Sequence, residues 1–436
     1  MRFPRCFVKN FHTWKLTASG KLKQVSISSD RYFCDKSTSQ FTIDDVKSEV
    51  MRKMGVAKGY APEPPDRSPL LKYLPRSQDD LPVRSMKDSF GTALIPLGTN
   101  LDLQMKYTTL MGNVRKGRML EDLDIFAAWI SIKHIYDPKN DQEICPYTIV
   151  TASVDETSFE TWICKVTNDM RISGEVEMVG KSSMEVCVWL ESFVEGEWKL
   201  YTKSYFTMVA RNSTNTASAI VNKLKPNGPV EEAKYLQASE RLVKRRTAAK
   251  QSLIKSYPEE LEQKAIHDKF QATIDLNDPT LKSRILPHNS VWMESTQVSS
   301  VIFPHPEDKN AHNTVFGGLL MRHSLELSYI IAINFGKQLP PSLINISDIA
   351  FKAPVPIDSV IKMTGMMVHT ELNFAQITVY TEVLNVFTSK TFTTNTFHYT
   401  YQFQHTLPEV LPLTYQEAMM WLEGRRYFYN SVGRKK

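Results

Sequence analysis

Cysteine is scarce in this chain of 436 residues. Cys6, Cys34, Cys145, Cys164 and Cys187 stand far apart, with no CxxC pair and no cluster with histidine. That spacing argues against a structural zinc site and supplies no disulfide framework. It suits a reducing compartment. Cys164 and Cys187, set in strand-like runs, read as small core residues rather than nucleophiles. Long apolar runs are also lacking. Stretches such as 329–333 fall far short of the ~18 residues a bilayer span requires, so no membrane span is expected. The third absence is local: no acidic residue precedes Asp30, whereas Arg2, Arg5, Lys9, Lys15, Lys21 and Lys23 all do. Those six account for the whole net charge of +6, so the basic balance belongs to the N-terminus and gives no argument for nucleic acid.

The acid-free start, with serines and without the apolar stretch of about 7–15 residues found in secretory signals, fits a mitochondrial transit peptide over 1–29, and hence the matrix. It also fits a disordered basic tail. What remains, with 42% hydrophobic and 23% charged residues, is ordinary globular composition and long enough for two domains. Residues 30–88 are rich in proline and charge, including Pro62, Pro64, Pro65, Pro69, Pro75 and Pro82. They read as an extended arm, or short helices laid on a domain, rather than as core. A first unit is expected over 89–224, a helical linker over 225–288, a second unit over 289–405 and a helical tail over 406–436. Lys244, Arg245 and Arg246 in the linker read as a solvated face.

The two units repeat one order of elements. A helix over about 117–134 is followed by strands near 147–154, 174–179, 184–190 and 198–211. A helix over about 317–335 is followed by 343–351, 374–383 and 391–403. In both units the strands alternate: Met184, Val186, Val188 and Leu190 interleave with Glu185, Cys187, Trp189 and Glu191, and Phe374 to Val383 does the same. A long helix followed by antiparallel strands that wrap it, occurring twice, is an α+β tandem repeat.

Each helix opens from a loop, and the two loops differ in a complementary way. In the second unit Asn310 stands seven residues before Gly317-Gly318, and Leu325 stands eight residues beyond Gly317. Shifted by 201 residues without a gap, the first unit places Thr109 at the asparagine position, Lys116-Gly117 at the Gly-Gly position and Asp124 at the position of Leu325. Only one unit keeps the amide and only the other keeps the acid.

The runs Gly117-Arg118-Met119-Leu120-Glu121-Asp122-Leu123-Asp124, Val179-Gly180-Lys181-Ser182-Ser183-Met184-Glu185-Val186, Met208-Val209-Ala210-Arg211-Asn212 and Asn313-Thr314-Val315-Phe316-Gly317-Gly318 resemble the acyl-CoA thioesterase 9 family of mitochondria, over roughly 85–425. The resemblance implies a tandem (double) hotdog, each helix wrapped by an antiparallel sheet. It also implies hydrolysis of acyl-CoA thioesters and a site between two hotdogs, to which one contributes an asparagine and the facing one a carboxylate. Double hotdogs commonly associate further, often as trimers, so a homo-oligomer is expected. Acyl-CoA is the expected substrate and no cofactor or metal is implied.

Asn310 and Asp124 can then build one composite site, leaving Thr109 and Leu325 as an inactive twin. Backbone N–H groups of Gly317 and Gly318, at the positive end of a helix, suit the oxygen of a thioester that gains charge as water adds. Asp124 suits the general base that water needs at neutral pH, although direct carboxylate attack through an anhydride stays open. Asn310 both donates and accepts, which suits orienting water or thioester. Lys181, Ser182, Ser183 and Arg211 are candidates for the CoA phosphates. The plainer readings are a turn residue for Asn310, a solvated helix acid for Asp124 and surface turns for the phosphate candidates. Asp122 points to another helix face, Glu326 could serve the twin only on a rotated helix, and His312 reads as loop packing. Two rival functions stand beside hydrolysis: an enoyl-CoA hydratase or dehydratase, for which neither helix start shows a clear Asp/His pair, and a non-catalytic acyl-CoA-binding protein.

Overall fold

The two apolar stretches that follow the loops fold as central helices, α2 (Lys116–Ile135) and α5 (Gly317–Gly336). Both carry buried residues around most of their circumference, as a helix surrounded on all sides must. The computed structural model describes residues 41–433 apart from 57–58, 60–62, 137–142, 161, 276, 279, 311 and 339. Residues 1–40 form a separate unit, of which an antiparallel pair, Phe11–Leu16 with Leu22–Ile27, is described. The rest of the leader, with Cys6 and Cys34, lies outside the described residues.

Around α2 wrap β1 (Gly91–Ile95), β2 (Tyr147–Val154), β3 (Thr157–Phe159), β4 (Met170–Val179), β5 (Ser183–Val194) and β6 (Glu197–Asn212). Around α5 wrap β7 (Val298–Ile302), β8 (Ser342–Ile346), β9 (Ile349–Ala350), β10 (Ser359–Glu371), β11 (Phe374–Asn385) and β12 (Thr391–Gln402). All pairings in this set are antiparallel, and the twelve strands make one sheet in the order β7-β10-β11-β12-β8-β3-β6-β5-β4-β1, with β2 beside β6 and β9 beside β2. The fold is a double hotdog. A register shift in β4 between Val176 and Met178, and one in β10 between Met367 and His369, lie at corresponding places. Bulges of this kind bend a sheet, here around its helix.

The two sheets are fused rather than merely apposed. β8 pairs with β3 (Asn345↔Ser158, Ile346↔Thr157) and β9 with β2 (Ile349↔Val154, Ala350↔Ser153). The central helices cross through their first turns. A methyl group on Gly318 would lie 2.9 Å from Glu121 Cα, and one on Gly117 would lie 3.0 Å from Arg322 Cγ, so the crossing needs both glycines.

Three features depart from the sequence reading. The arm is not merely laid on the surface: α1 (Ile43–Lys53) sends Ile43, Val46 and Val50 into the core, and Glu49 accepts from the Trp129 indole at 2.9 Å. The compact unit therefore begins at Phe41 and not near residue 89. The linker helix α3 (Pro229–Lys250) lies across the outer face of the first sheet, so Glu185 and Cys187 are buried despite alternating with an apolar face. Arg245 is accordingly not solvated; it pairs with Asp155 and Glu185 at 2.6 Å each, and only Lys244 and Arg246 of that cluster are exposed. The C-terminal helix α4 (Tyr415–Val432) plays the same part on the second sheet, with Phe428 and Trp421 against the buried His369 ring.

Cys164 and Cys187 are buried core residues, as expected. Desolvation pushes both thiols up, Cys164 to about 11, which leaves them protonated and unreactive.

Candidate active site

Asp124 sits on α2 where a helix acid would ordinarily face water, yet it is 5% exposed. The α5 crossing covers it. Its Oδ2 accepts the main-chain N–H of Gly318 at 2.8 Å, and its Oδ1 accepts the Thr151 hydroxyl at 2.6 Å. Thr151 belongs to β2 of the same hotdog and Gly318 to the second turn-opening residue of the other. Burial raises the Asp124 carboxyl above its ordinary value, and the two donors pull it part of the way back. A group so balanced can hold a negative charge and still take up a proton.

The glycines act here as space and as donors. A methyl group on Gly317 would stand 3.0 Å from the Phe351 ring and 3.5 Å from Asp124 Oδ2; one on Gly318 would stand 3.4 Å from the same carboxylate oxygen. The Gly318 N–H is committed to Asp124, so it is not free for a substrate oxygen in this arrangement. Gly317 is the first helical residue, whose N–H has no intrahelical acceptor.

Asn310 is woven into its own loop. Its Oδ1 accepts the N–H of His312 (2.8 Å) and of Thr314 (3.2 Å), and its Nδ2 donates to Thr314 Oγ1 at 2.7 Å. The turn reading of Asn310 is thus correct as local structure. The loop reaches the first hotdog, because His312 Nε2 lies 2.7 Å from Thr148 Oγ1 on β2. One strand of the first hotdog therefore touches both Asp124, through Thr151, and the Asn310 loop, through Thr148. Thr148, Thr151 and Phe351 were not singled out in the sequence. Their only signal is polarity within an otherwise apolar strand for the threonines, and a strand end for Phe351.

The other candidates lie elsewhere or are otherwise engaged. Asp122 faces away from the crossing, as expected, and is buried between the Tyr107 hydroxyl and Lys47 of α1, the latter at 2.8 Å. Lys181, Ser182 and Ser183 form the β4–β5 hairpin turn, with Lys181 exposed. Arg211 at the end of β6 spends its guanidinium on the side chain and carbonyl of Asn215.

At the twin position the same crossing is filled. Thr109 Oγ1 accepts only the N–H of Asn113, at 3.2 Å. Leu325 is buried where Asp124 stands in the other half. Lys116, in the place of Gly317, lies over the Phe159 ring with Nζ 3.4 Å from the Leu343 carbonyl, and burial lowers it to about 8. Glu326 does not substitute for the missing acid; it pairs with Arg115 at 2.6 Å.

A double hotdog in which one repeat lends a buried carboxylate to the helix start of the other is the architecture of a thioester hydrolase. Human mitochondrial acyl-coenzyme A thioesterase 9 is 35% identical over 396 residues, covering 90% of each chain. Mouse mitochondrial acyl-coenzyme A thioesterase 10 is 34% identical over 365 residues, covering 83% of this chain and 82% of its own. An acyl-CoA hydrolase from Staphylococcus aureus, solved with butyryl coenzyme A, coenzyme A and coenzyme A disulfide, is 23% identical over 44% of this chain and 98% of its own, with a TM-score of 0.32. No family model matches the chain. The chain belongs to the acyl-coenzyme A thioesterase 9 family of mitochondrial thioester hydrolases.

Proposed function

We propose that the chain hydrolyses acyl-CoA thioesters to free fatty acid and CoA at one composite site on the seam between its hotdogs. The observation that carries this reading is the bond from the Gly318 N–H to Asp124, which joins the acid of one repeat to the helix start of the other. Asp124 takes a proton from water; the water oxygen adds to the thioester carbonyl. The carbonyl oxygen gathers charge against the Gly317 N–H at the positive end of α5. The C–S bond then breaks, and the proton held by Asp124 passes to the departing CoA sulfur. Thr151 and the Gly318 N–H hold the carboxylate in place. Asn310 has one amide hydrogen beyond the one given to Thr314, and this orients the water or the thioester. Lys181 at its exposed turn is the CoA-phosphate candidate this geometry favours, since Arg211 is occupied within its own hairpin.

The same reading takes residues 1–29 as an import leader and the working species as a homo-oligomer, read by the mass of the purified protein in light scattering. CoA release, followed with a thiol reagent across a series of acyl-CoAs, tests the activity. Turnover in the folded Asp124→Ala protein equal to wild type would falsify the assignment. Hydration of crotonyl-CoA without CoA release would move it to the hydratase class, and binding without turnover to the non-catalytic one.

A further inference from the structure

Arg67 belongs to neither hotdog, yet its side chain reaches the seam. It precedes the short helical turn Ser68–Tyr73 in the arm, and it is 4% exposed. No carboxylate among the described residues pairs with it. A buried guanidinium is costly to desolvate and is ordinarily matched by an acid. Here its partners are neutral. Nη2 donates to the carbonyls of Cys145 (2.6 Å) and Tyr147 (2.9 Å), at the start of β2. Nη1 donates to Thr148 Oγ1 (3.1 Å) and lies 3.2 Å from His312 Nε2.

The last contact has a direction. Arginine only donates, so His312 Nε2 must present its lone pair, which puts the ring proton on Nδ1. Burial, and the Arg67 charge behind it, lower His312 to about 4, so the ring is neutral near pH 7. The main-chain N–H of that same histidine donates to Asn310 Oδ1. A continuous set of bonds thus runs from the arm, across β2 of the first hotdog, to the amide of the second.

We propose that Arg67 is a positioning residue for hydrolysis: it clamps the His312 ring onto β2 and so fixes the loop that aims the Asn310 amide. This rests on the reading of Asn310 given above. A planar fork with several donors suits a clamp on four acceptors, and an ammonium on a flexible stem does not. Small displacements of an orienting group carry large rate costs.

The test uses the full chain, with kcat and KM from CoA release and ring nitrogen shifts from protein carrying 15N-histidine. Arg67→Met is expected to lower kcat about 10- to 100-fold with KM changed by less than about threefold. Arg67→Lys is expected to remain impaired. His312→Phe, which leaves the Arg67 bonds to the two carbonyls intact, is expected to lose a similar factor. Because the clamp acts through Asn310, Arg67→Met together with Asn310→Ala should be no slower than Asn310→Ala alone, within about twofold. The His312 shifts should report the Nδ1–H form in wild type and change in Arg67→Met. Wild-type kcat in folded Arg67→Met, a loss that multiplies in full with that of Asn310→Ala, or unchanged His312 shifts would each overturn the proposal. Wild-type turnover in Asn310→Ala overturns the reading of Asn310 itself, and the ring shifts then still report the clamp separately.

Discussion

The two halves of the seam begin from the same crossing and end differently. In one, a glycine stands at 317, an acid at 124, and the residue at 312 is held by a threonine of the facing hotdog. In the other, Lys116 occupies the glycine position, Leu325 replaces the acid, and Met111, at the position of His312, is 52% exposed. The twin has not been left hollow. Its helix start is packed by an aliphatic stem over an aromatic ring, and its polar surroundings are spent on Arg115–Glu326 and on Arg322 with Glu121 at 3.2 Å. A duplicated fold needs the crossing twice for packing. It needs the chemistry once, and at the other copy the cavity is better filled than kept.

The sharpest break of that comparison is Asp124→Asn, which keeps the shape and removes the base. Hydrolysis is expected to fall by about 10²- to 10⁴-fold with circular dichroism unchanged, and a fall below about fivefold would show the two halves to be equally idle or equally active. Gly318→Ala comes next. Its methyl group meets the Glu121 backbone at 2.9 Å, so the helices must separate. We expect a loss of about 1–3 kcal/mol in stability, read by denaturant melts, together with at least a severalfold loss in kcat. Gly117→Ala meets the flexible end of Arg322 instead and should be milder on both counts.

Thr151→Val sharpens the comparison through pH. The threonine hydroxyl favours the charged carboxylate, so its loss moves the Asp124 carboxyl further up. A general base works when deprotonated. The acid limb of the kcat profile should therefore shift to higher pH, with activity at the alkaline plateau reduced less than at pH 6. A shift to lower pH would contradict the role given to Asp124. The smallest effect is expected for Lys116→Met, which keeps the packing over Phe159. Its kcat should stay within about twofold of wild type, whereas a large drop would mean that the twin takes part in turnover.

Much of this arrangement was legible before any coordinates. Helical periodicity and strand alternation marked α2, α5, β5 and β11 closely, because each carries a regular apolar pattern over a long run. The ungapped offset between Thr109–Asp124 and Asn310–Leu325 located the seam, since complementary gain and loss leave a trace in one sequence. Thr151 was hidden because its partnership with Asp124 depends on how β2 lies against α2, a three-dimensional register that spacing does not encode. Arg67 was hidden among prolines and charges that composition assigns to an arm. Arg245 misled for the opposite reason: a run of three cations looks solvated until the acids Asp155 and Glu185, far away in the chain, are brought under it. Asn310 remains the instructive case, for both its turn role and its place at the seam follow from the same side chain.

The pairing of β8 with β3 and of β9 with β2 carries a consequence of its own. A catalytic pair shared between two ordinary domains can be opened and closed by a hinge. Here a hinge would have to tear a ladder, so the two halves move as one body, and entry of a bulky thioester falls to the loops and to the arm. The same seam ties inheritance together: neither repeat can drift in register without displacing the acid or the amide that the other one uses.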